Sequence, residues 1–203
     1  MKKKIILIGA GGHAESCIDV IKKNKKYQIA GLIGTKSEVG KSILGHKVIG
    51  SDKDLKFLSG KIKYAIITVG QIKTAEKRKK IYNLLRTLNF KLPVIISPLA
   101  YVSKFSKIGD GTIVMHFALI NSKTQIGNNC IINSKALIEH GTSIGNHCHV
   151  STSATINSGV TINDEVFIGS SSCIKQNLKI GTGSLIAMGS RILKNVPKGK
   201  IKF

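Results

Sequence analysis

Residues 126–150 read IGNNCIINSKALIEHGTSIGNHCHV, and an aliphatic residue stands at Ile126, Ile132, Ile138, Ile144 and Val150. Extended outward, the same six-residue spacing runs from Val102 to Ile192, sixteen positions without a miss. Four residues after each aliphatic position sits a mostly small one, as at Cys130, Ala136, Thr142, Cys148 and Ala154. Gly follows the aliphatic residue at 109, 127, 145 and 181, which lays a period of eighteen over the period of six. A helix cannot use this spacing, because six residues at 3.6 per turn rotate the apolar stripe off its face. Short strands can. Positions i and i+4 point inward, i+1 and i+5 outward, and i+2 and i+3 turn a corner. Three such sides close one coil of eighteen residues, and the next coil stacks about 4.8 Å along the axis as parallel strands. The expectation is a parallel β-helix of about five coils with rows of Ile and Val as its core.

The sequence before this repeat has another character. Ile5–Ile8 is an apolar run that ends in Gly9-Ala10-Gly11-Gly12-His13-Ala14, and Glu15–Asn24 then has helical spacing. Strand, glycine turn and helix bring bare backbone N–H groups to a helix start, where an anion binds. Gly9, Gly11 and Ala14 fit the dinucleotide fingerprint, but the second strand, Gln28–Ile33, runs into Gly34-Thr35-Lys36 without an acid for a ribose. A nucleotide-sugar phosphate is therefore preferred to NAD, with tight strand–helix packing as the alternative. Tyr64–Val69 reads as a buried strand ending in Gly70. Thr74–Leu88 reads as an amphipathic helix, apolar at Ile81, Leu84, Leu85 and Leu88, with Lys and Arg on its other side. Lys91–Ile96 reads as one more strand. The chain is thus expected to divide into a small Rossmann-like α/β domain over 1–96 and the β-helix over 97–203.

The 203 residues carry 32 Lys and Arg against 10 Asp and Glu, a formal charge of +22. The basic residues are spread along the chain without aromatic interleaving or zinc-finger spacing, so nucleic acid is not expected as a partner. The charge suits the phosphates of a nucleotide or of coenzyme A. Cys17, Cys130, Cys148 and Cys173 form no CxxC pair, which reads as a reduced, cytoplasmic protein. The lysines of Lys2–Lys4 precede an apolar run too short for a signal sequence, and no segment is long enough to span a membrane.

Candidate chemistry sits where the repeat carries extra polar groups, at Glu139-His140-Gly141 and at His147-Cys148-His149. A carboxylate beside an imidazole orients it and raises its basicity, as a general base requires. No G-x-S-x-G elbow supports acyl-enzyme chemistry. Cys148 points inward and His149 outward, so the two cannot share a metal ion, and no metal is expected.

On the glycine loop GAGGH, on Val69-Gly70 before a basic helix, on Asn133-Ser-Lys-Ala-Leu-Ile-Glu139-His140 and on the hexapeptide repeats, the chain resembles a known family. These are the hexapeptide-repeat sugar acetyltransferases, which include sialic acid O-acetyltransferases and UDP-amino-sugar N-acetyltransferases. The resemblance implies a left-handed β-helix, acetyl-CoA as donor, His140 as general base with Glu139 as its partner, and a homotrimer with sites between subunits. It implies coenzyme contacts at His149, Ser158, Gly169, Ser170 and Met188, and sugar or nucleotide contacts at Gly9, Gly11, Gly12, His13, Gly70 and Asn133. Relatives that bind a UDP-sugar often carry acids after the second strand, where this chain has Gly34-Thr35. Many also continue with a Gly-x-Pro-Ala segment, so an altered coenzyme contribution is expected near Phe203. The function expected is N-acetylation of a nucleotide-linked amino sugar in bacterial surface-glycan synthesis. O-acetylation of a sialic-acid-like sugar and a non-catalytic nucleotide-sugar-binding protein are the alternatives. The outward column Ile113, Ile131, His149, Phe167, Leu185 is apolar but for His149, and is expected to be buried between subunits. His140 of one chain and His149 of the next are then expected to share a site.

Overall fold

A computed structural model describes residues 2–203. The N-terminal sheet contains β1 (Lys3–Ile8), β2 (Tyr27–Gly34), β3 (Ser42–Ile43), β4 (His46–Ser51) and β5 (Tyr64–Ile67), in the order β3-β4-β2-β1-β5. Only β3 runs antiparallel to its neighbour. Three α-helices pack on it: α1 (Gly12–Asn24), α2 (Leu55–Ser59) and α3 (Glu76–Thr87). β1 is buried from Ile5 to Ile8, as expected of a central parallel strand with both faces covered. Helix α1 begins three residues before the expected Glu15, so His13 stands in its first turn and Gly11 is its N-cap.

The rest is the left-handed parallel β-helix. Its two-residue strands form three faces. Face 1 carries Tyr101–Val102, Leu119–Ile120, Leu137–Ile138, Thr155–Ile156, Cys173–Ile174 and Arg191–Ile192. Face 2 carries Lys107–Ile108, Gln125–Ile126, Ser143–Ile144, Thr161–Ile162 and Lys179–Ile180. Face 3 carries Ile95–Ile96, Ile113–Val114, Ile131–Ile132, His149–Val150, Phe167–Ile168, Leu185–Ile186 and Ile201–Lys202. Strands eighteen residues apart pair in register, for instance Ile120 with Ile138 and Ile126 with Ile144. The aliphatic residues and the small residues four positions on form one core. The corner residue three positions after each aliphatic one is left-handed at site after site, such as Asn129 at φ 53° and His147 at φ 57°. The glycines of the eighteen-residue period have a steric cause. A Cβ on Gly127 would lie 2.7 Å from the backbone carbon of Gly145 in the next coil.

Two expectations are corrected. The segment 91–96 is not a further strand of the N-terminal sheet: Lys91 makes a single bridge to Tyr64, and Ile95–Ile96 pairs with Ile113–Val114 as the first strand of face 3. The column Ile113, Ile131, His149 is not free for a second subunit either. The chain's own N-terminal domain covers it, packing Ile5, Ala14, Cys17, Ile18 and Ile21 in one cluster with Ile95, Ile113, Met115 and Ile131. Among the described residues, an exposed apolar surface lies on face 1 and its edges. Tyr101 and Phe117 are each 61 % exposed, and Leu99, Leu119 and Phe105 stand out beside them. Among the described residues, no helix is long and apolar enough to cross a membrane.

Candidate active site

Strands β1, β2, β4 and β5 end at the same edge of the sheet, and the loops there enclose a cavity of about 580 Å³. Gly9, Gly11, Gly12, His13 and Gly70 all line it, together with Thr35, Ser51, Thr68 and Val69. At Gly9 (φ 121°) a Cβ would lie 2.8 Å from the Val69 nitrogen, so the glycine lets two strand ends close together. The first turn of α1 points its free N–H groups at this cavity, and Lys36, Lys53 and Lys77 stand around it. An acid absent from 34–36 stands slightly further on, where Glu38 also lines the cavity. Its carboxylate accepts from the Thr35 backbone N–H at 2.7 Å and from Oγ1 at 2.8 Å. Those hydrogen bonds hold its carboxyl below the usual carboxylate range. Gly34 leaves the room for this: a Cβ there would meet Glu38 Oε2 at 2.8 Å.

The loop that lines the cavity at Gly70 runs on into Gln71, whose carbonyl accepts from His149 Nδ1 at 2.7 Å. A carbonyl only accepts, so the proton is on Nδ1 and Nε2 carries the lone pair. Asn133 Nδ2 approaches that Nε2 at 3.4 Å. Asn133 therefore sits beside His149 at the corner between faces 3 and 1, outside the glycine-loop cavity. The His149 ring is 7 % exposed and meets Phe167 edge-on with centroids 5.2 Å apart. An unprotonated Nε2 suits an N–H donor, such as an amine or the pantetheine amide of a coenzyme, and not a thioester oxygen. On the cavity side His13 Nε2 lies 3.4 Å from Cys17 Sγ. Burial, and then the nearby Arg78 charge, push His13 down to about 4. Burial lowers His149 to about 4 as well, with the Arg78 charge acting in the same direction and the Gln71 carbonyl opposing.

Both rings are thus neutral in the folded protein and titrate near 6.5 when unfolded. Their contribution is fully present above pH 6.5. It is lost as pH falls toward 4, because only the unfolded chain gains protons in that window. The loss amounts to about 3 kcal/mol per ring over the whole window. Denaturant titrations at pH 7 and pH 5 should show this decline, with a shallower slope in His149→Phe. A stability independent of pH across that range contradicts neutral burial.

His140 lies elsewhere. It is exposed at the corner between faces 1 and 2, and its Nε2 is 3.0 Å from Ser158 Oγ one coil above. Glu139 does not touch the ring as expected. Its carboxylate accepts from Asn121 Nδ2 at 2.9 Å and lies 3.4 Å from the His140 backbone N–H. Position i+1 faces outward from the coil side while i+2 has begun the corner, which turns the two side chains apart. Glu139 thus fixes the backbone of the corner, and Ser158 holds the imidazole. The remaining coenzyme candidates fall at the other edge of face 1. Gly169, Ser170 and Met188 belong to the turns between faces 3 and 1, where Ser170 Oγ is 2.9 Å from Ser151 Oγ. A Cβ on Gly169 would meet the Met188 nitrogen at 2.5 Å, so this glycine serves coil stacking.

Residues 4–85 match the family model of the PglD N-terminal domain. Residues 105–140 and 123–158 match the bacterial transferase hexapeptide, and 159–194 the hexapeptide repeat of succinyl-transferase. No protein of curated function matches by sequence. Solved structures do. PerB from Caulobacter crescentus, in complex with CoA and GDP-perosamine, shares 25 % identity at a TM-score of 0.91, over 98 % of this chain and 92 % of its own. A histidine-to-asparagine variant of the same perosamine N-acetyltransferase superposes at 0.92, also with 25 % identity and over the same shares of both chains. The acetyltransferase domain of PglB from Neisseria gonorrhoeae, in complex with acetyl coenzyme A, shares 27 % identity at 0.90, over 99 % of this chain and 96 % of its own.

Proposed function

The chain belongs to the hexapeptide-repeat sugar acetyltransferases, and from that premise we propose that it N-acetylates a nucleotide-linked amino sugar with acetyl-CoA. One observation carries the reading. The glycine-loop cavity is sized for a nucleotide, and the loop that lines it at Gly70 runs on to Gln71, whose carbonyl accepts from His149 of the coils, so a sugar held there is set beside the edge where the coenzyme residues stand. The α1 N-terminus and the surrounding lysines hold the phosphates. Glu38, on the turn after β2 and in the cavity lining, is the acid available to a ribose or base edge. The free amine attacks the thioester carbonyl carbon, His140 takes a proton from it, and as the C–S bond breaks His140 returns that proton to the departing sulfur, releasing CoA as the thiol. Backbone N–H groups of the coils stabilise the oxyanion.

The site is assembled by a homotrimer. Within one chain His140 stands at the vertex opposite face 3, with the filled core of the prism, roughly 10 Å thick, between it and the cavity. Face 1 lies between the two edges that carry the candidate residues: His140 and Ser158 on one, Gly169, Ser170 and Met188 on the other. A ring that buries the exposed Leu119 and Tyr101 near a three-fold axis sets the first edge of each subunit against the second edge of the next. His140 of one chain then reaches the cavity of its neighbour. On this proposal the enzyme works in the cytoplasm, where both of its substrates are made, within surface-glycan synthesis.

Thiol release from acetyl-CoA, followed with nucleotide-linked amino sugars, free sialic acids and no acceptor, tests the activity. Release with the amino sugars supports N-acetylation, and release with sialic acids alone favours the O-acetylating alternative. Tight sugar-nucleotide binding with no release in any case leaves a binding protein.

A further inference from the structure

Arg78 is the one arginine in the run Lys77-Arg78-Lys79-Lys80, and it is 1 % exposed. Its Nη1 donates to the carbonyls of Val69 at 2.6 Å and Ile67 at 3.3 Å. Its Nη2 donates to Asn129 Oδ1 at 2.6 Å and to the Asn129 carbonyl at 3.1 Å. None of these partners is a carboxylate, and Nε has no partner at all. Burial lowers its pKa to about 10, so the guanidinium stays charged at neutral pH. A buried cation without a counter-charge does not explain itself by stability, because well-packed apolar residues usually serve at least as well.

What the cation holds is more informative. Its four acceptors lie on the loop that ends β5 and on the coil corner at Asn129. That loop forms one wall of the cavity and ends in the carbonyl that fixes the His149 tautomer. Thr68 ties the start of that loop to β1 and the glycine turn, its N–H donating to the Ile8 carbonyl at 2.8 Å and its Oγ1 to the Gly9 carbonyl at 2.7 Å, whereas both polar atoms of the Gln71 side chain further on are buried without a partner. Asn129 in turn holds His147, its Nδ2 lying 2.9 Å from Nδ1 of that ring.

We infer that Arg78 is a positioning residue for the transfer site, pinning the Val69–Gln71 loop to the coil corner at Asn129 and thereby holding His149 with its proton on Nδ1. Its planar fork spans two domains at once, which a lysine's single ammonium cannot do. The cation also repels protons from His13 and His149, so the charge and the fork have separable effects. The kinetic part of the test rests on the acetyl-transfer reading; the spectroscopic part does not.

Arg78→Met and Arg78→Lys are made with ¹⁵N-labelled histidine, and the ring nitrogen shifts of His149 are read against pH. The parent protein should show the Nδ1–H form alone. Both variants should show the two tautomers mixed, with protonation at higher pH in Arg78→Met only, since Arg78→Lys keeps the charge. With an identified acceptor, kcat should fall about 100-fold in both, the usual effect of a misplaced site, while KM for acetyl-CoA changes little. A folded variant with the parent tautomer overturns the inference. So does failure of both variants to fold, which makes Arg78 a folding residue. If no sugar is acetylated by the parent protein, the reading of function fails while the tautomer measurement still decides this one.

Discussion

His140→Ala is expected to leave the fold intact and to lower kcat about 10²–10⁴-fold, the usual effect of removing a general base. The imidazole takes no part in the core. It is exposed at a corner whose conformation is set by Gly141 at φ 68°, and its polar contact is the Ser158 hydroxyl one coil above. The strand before it, Leu137–Ile138, is paired on both sides through backbone groups that the substitution leaves alone. The melting temperature should therefore hold while turnover falls. KM for both substrates should change little, because the interaction lost is made with the proton in flight and not with the bound ground state. Turnover near that of the parent protein removes His140 from the chemistry.

The repeat and the glycine loop could be read from sequence because each follows from local chemistry. Every coil solves the same packing problem with the same residue types, so the six-residue period survives without reference to anything distant. The helix at 76–87 was readable for the same reason, but Arg78 was not. It stands three residues before Ile81 and seven before Leu85, on the apolar face, and its partners Val69 and Asn129 lie outside the helix, the second of them 51 residues away in the coils. The burial of Ile113 and Ile131 was hidden in the same way. Alternation says that they point outward, and says nothing of the domain that docks there. That docking joins an apolar cluster to scattered long-range polar contacts, such as Asn24 Nδ2 to the Ile96 carbonyl at 2.7 Å and His116 to Asp19 at 2.8 Å. None leaves a periodic trace. Tyr101 and Leu119, exposed one above the other on face 1, and the half-buried Leu137 of the next coil follow the same eighteen-residue spacing and keep their outward side free of the N-terminal domain.

The second large effect concerns who supplies which histidine. His140 sits on one edge of face 1, and His149 with its cavity lies beyond the other edge, with the prism core between them. In a ring closed through face 1, each site takes His140 from one chain and His149 from the next. His140→Ala and His149→Ala homotrimers should then both be inactive, since every site lacks one ring. Mixed trimers differ. Whatever their composition, one of their three interfaces joins an intact His140 to an intact His149. Random assembly of equal amounts should restore about one quarter of the parent sites, as three quarters of such trimers are mixed. Differently tagged chains, unfolded and refolded together and purified through both tags, give mixed trimers free of the parents. Thiol release by them at about one third of the parent rate per trimer is the result predicted by a site shared across a ring. Inactive trimers of verified mixed composition would show that both histidines serve within one chain, and would contradict the shared site.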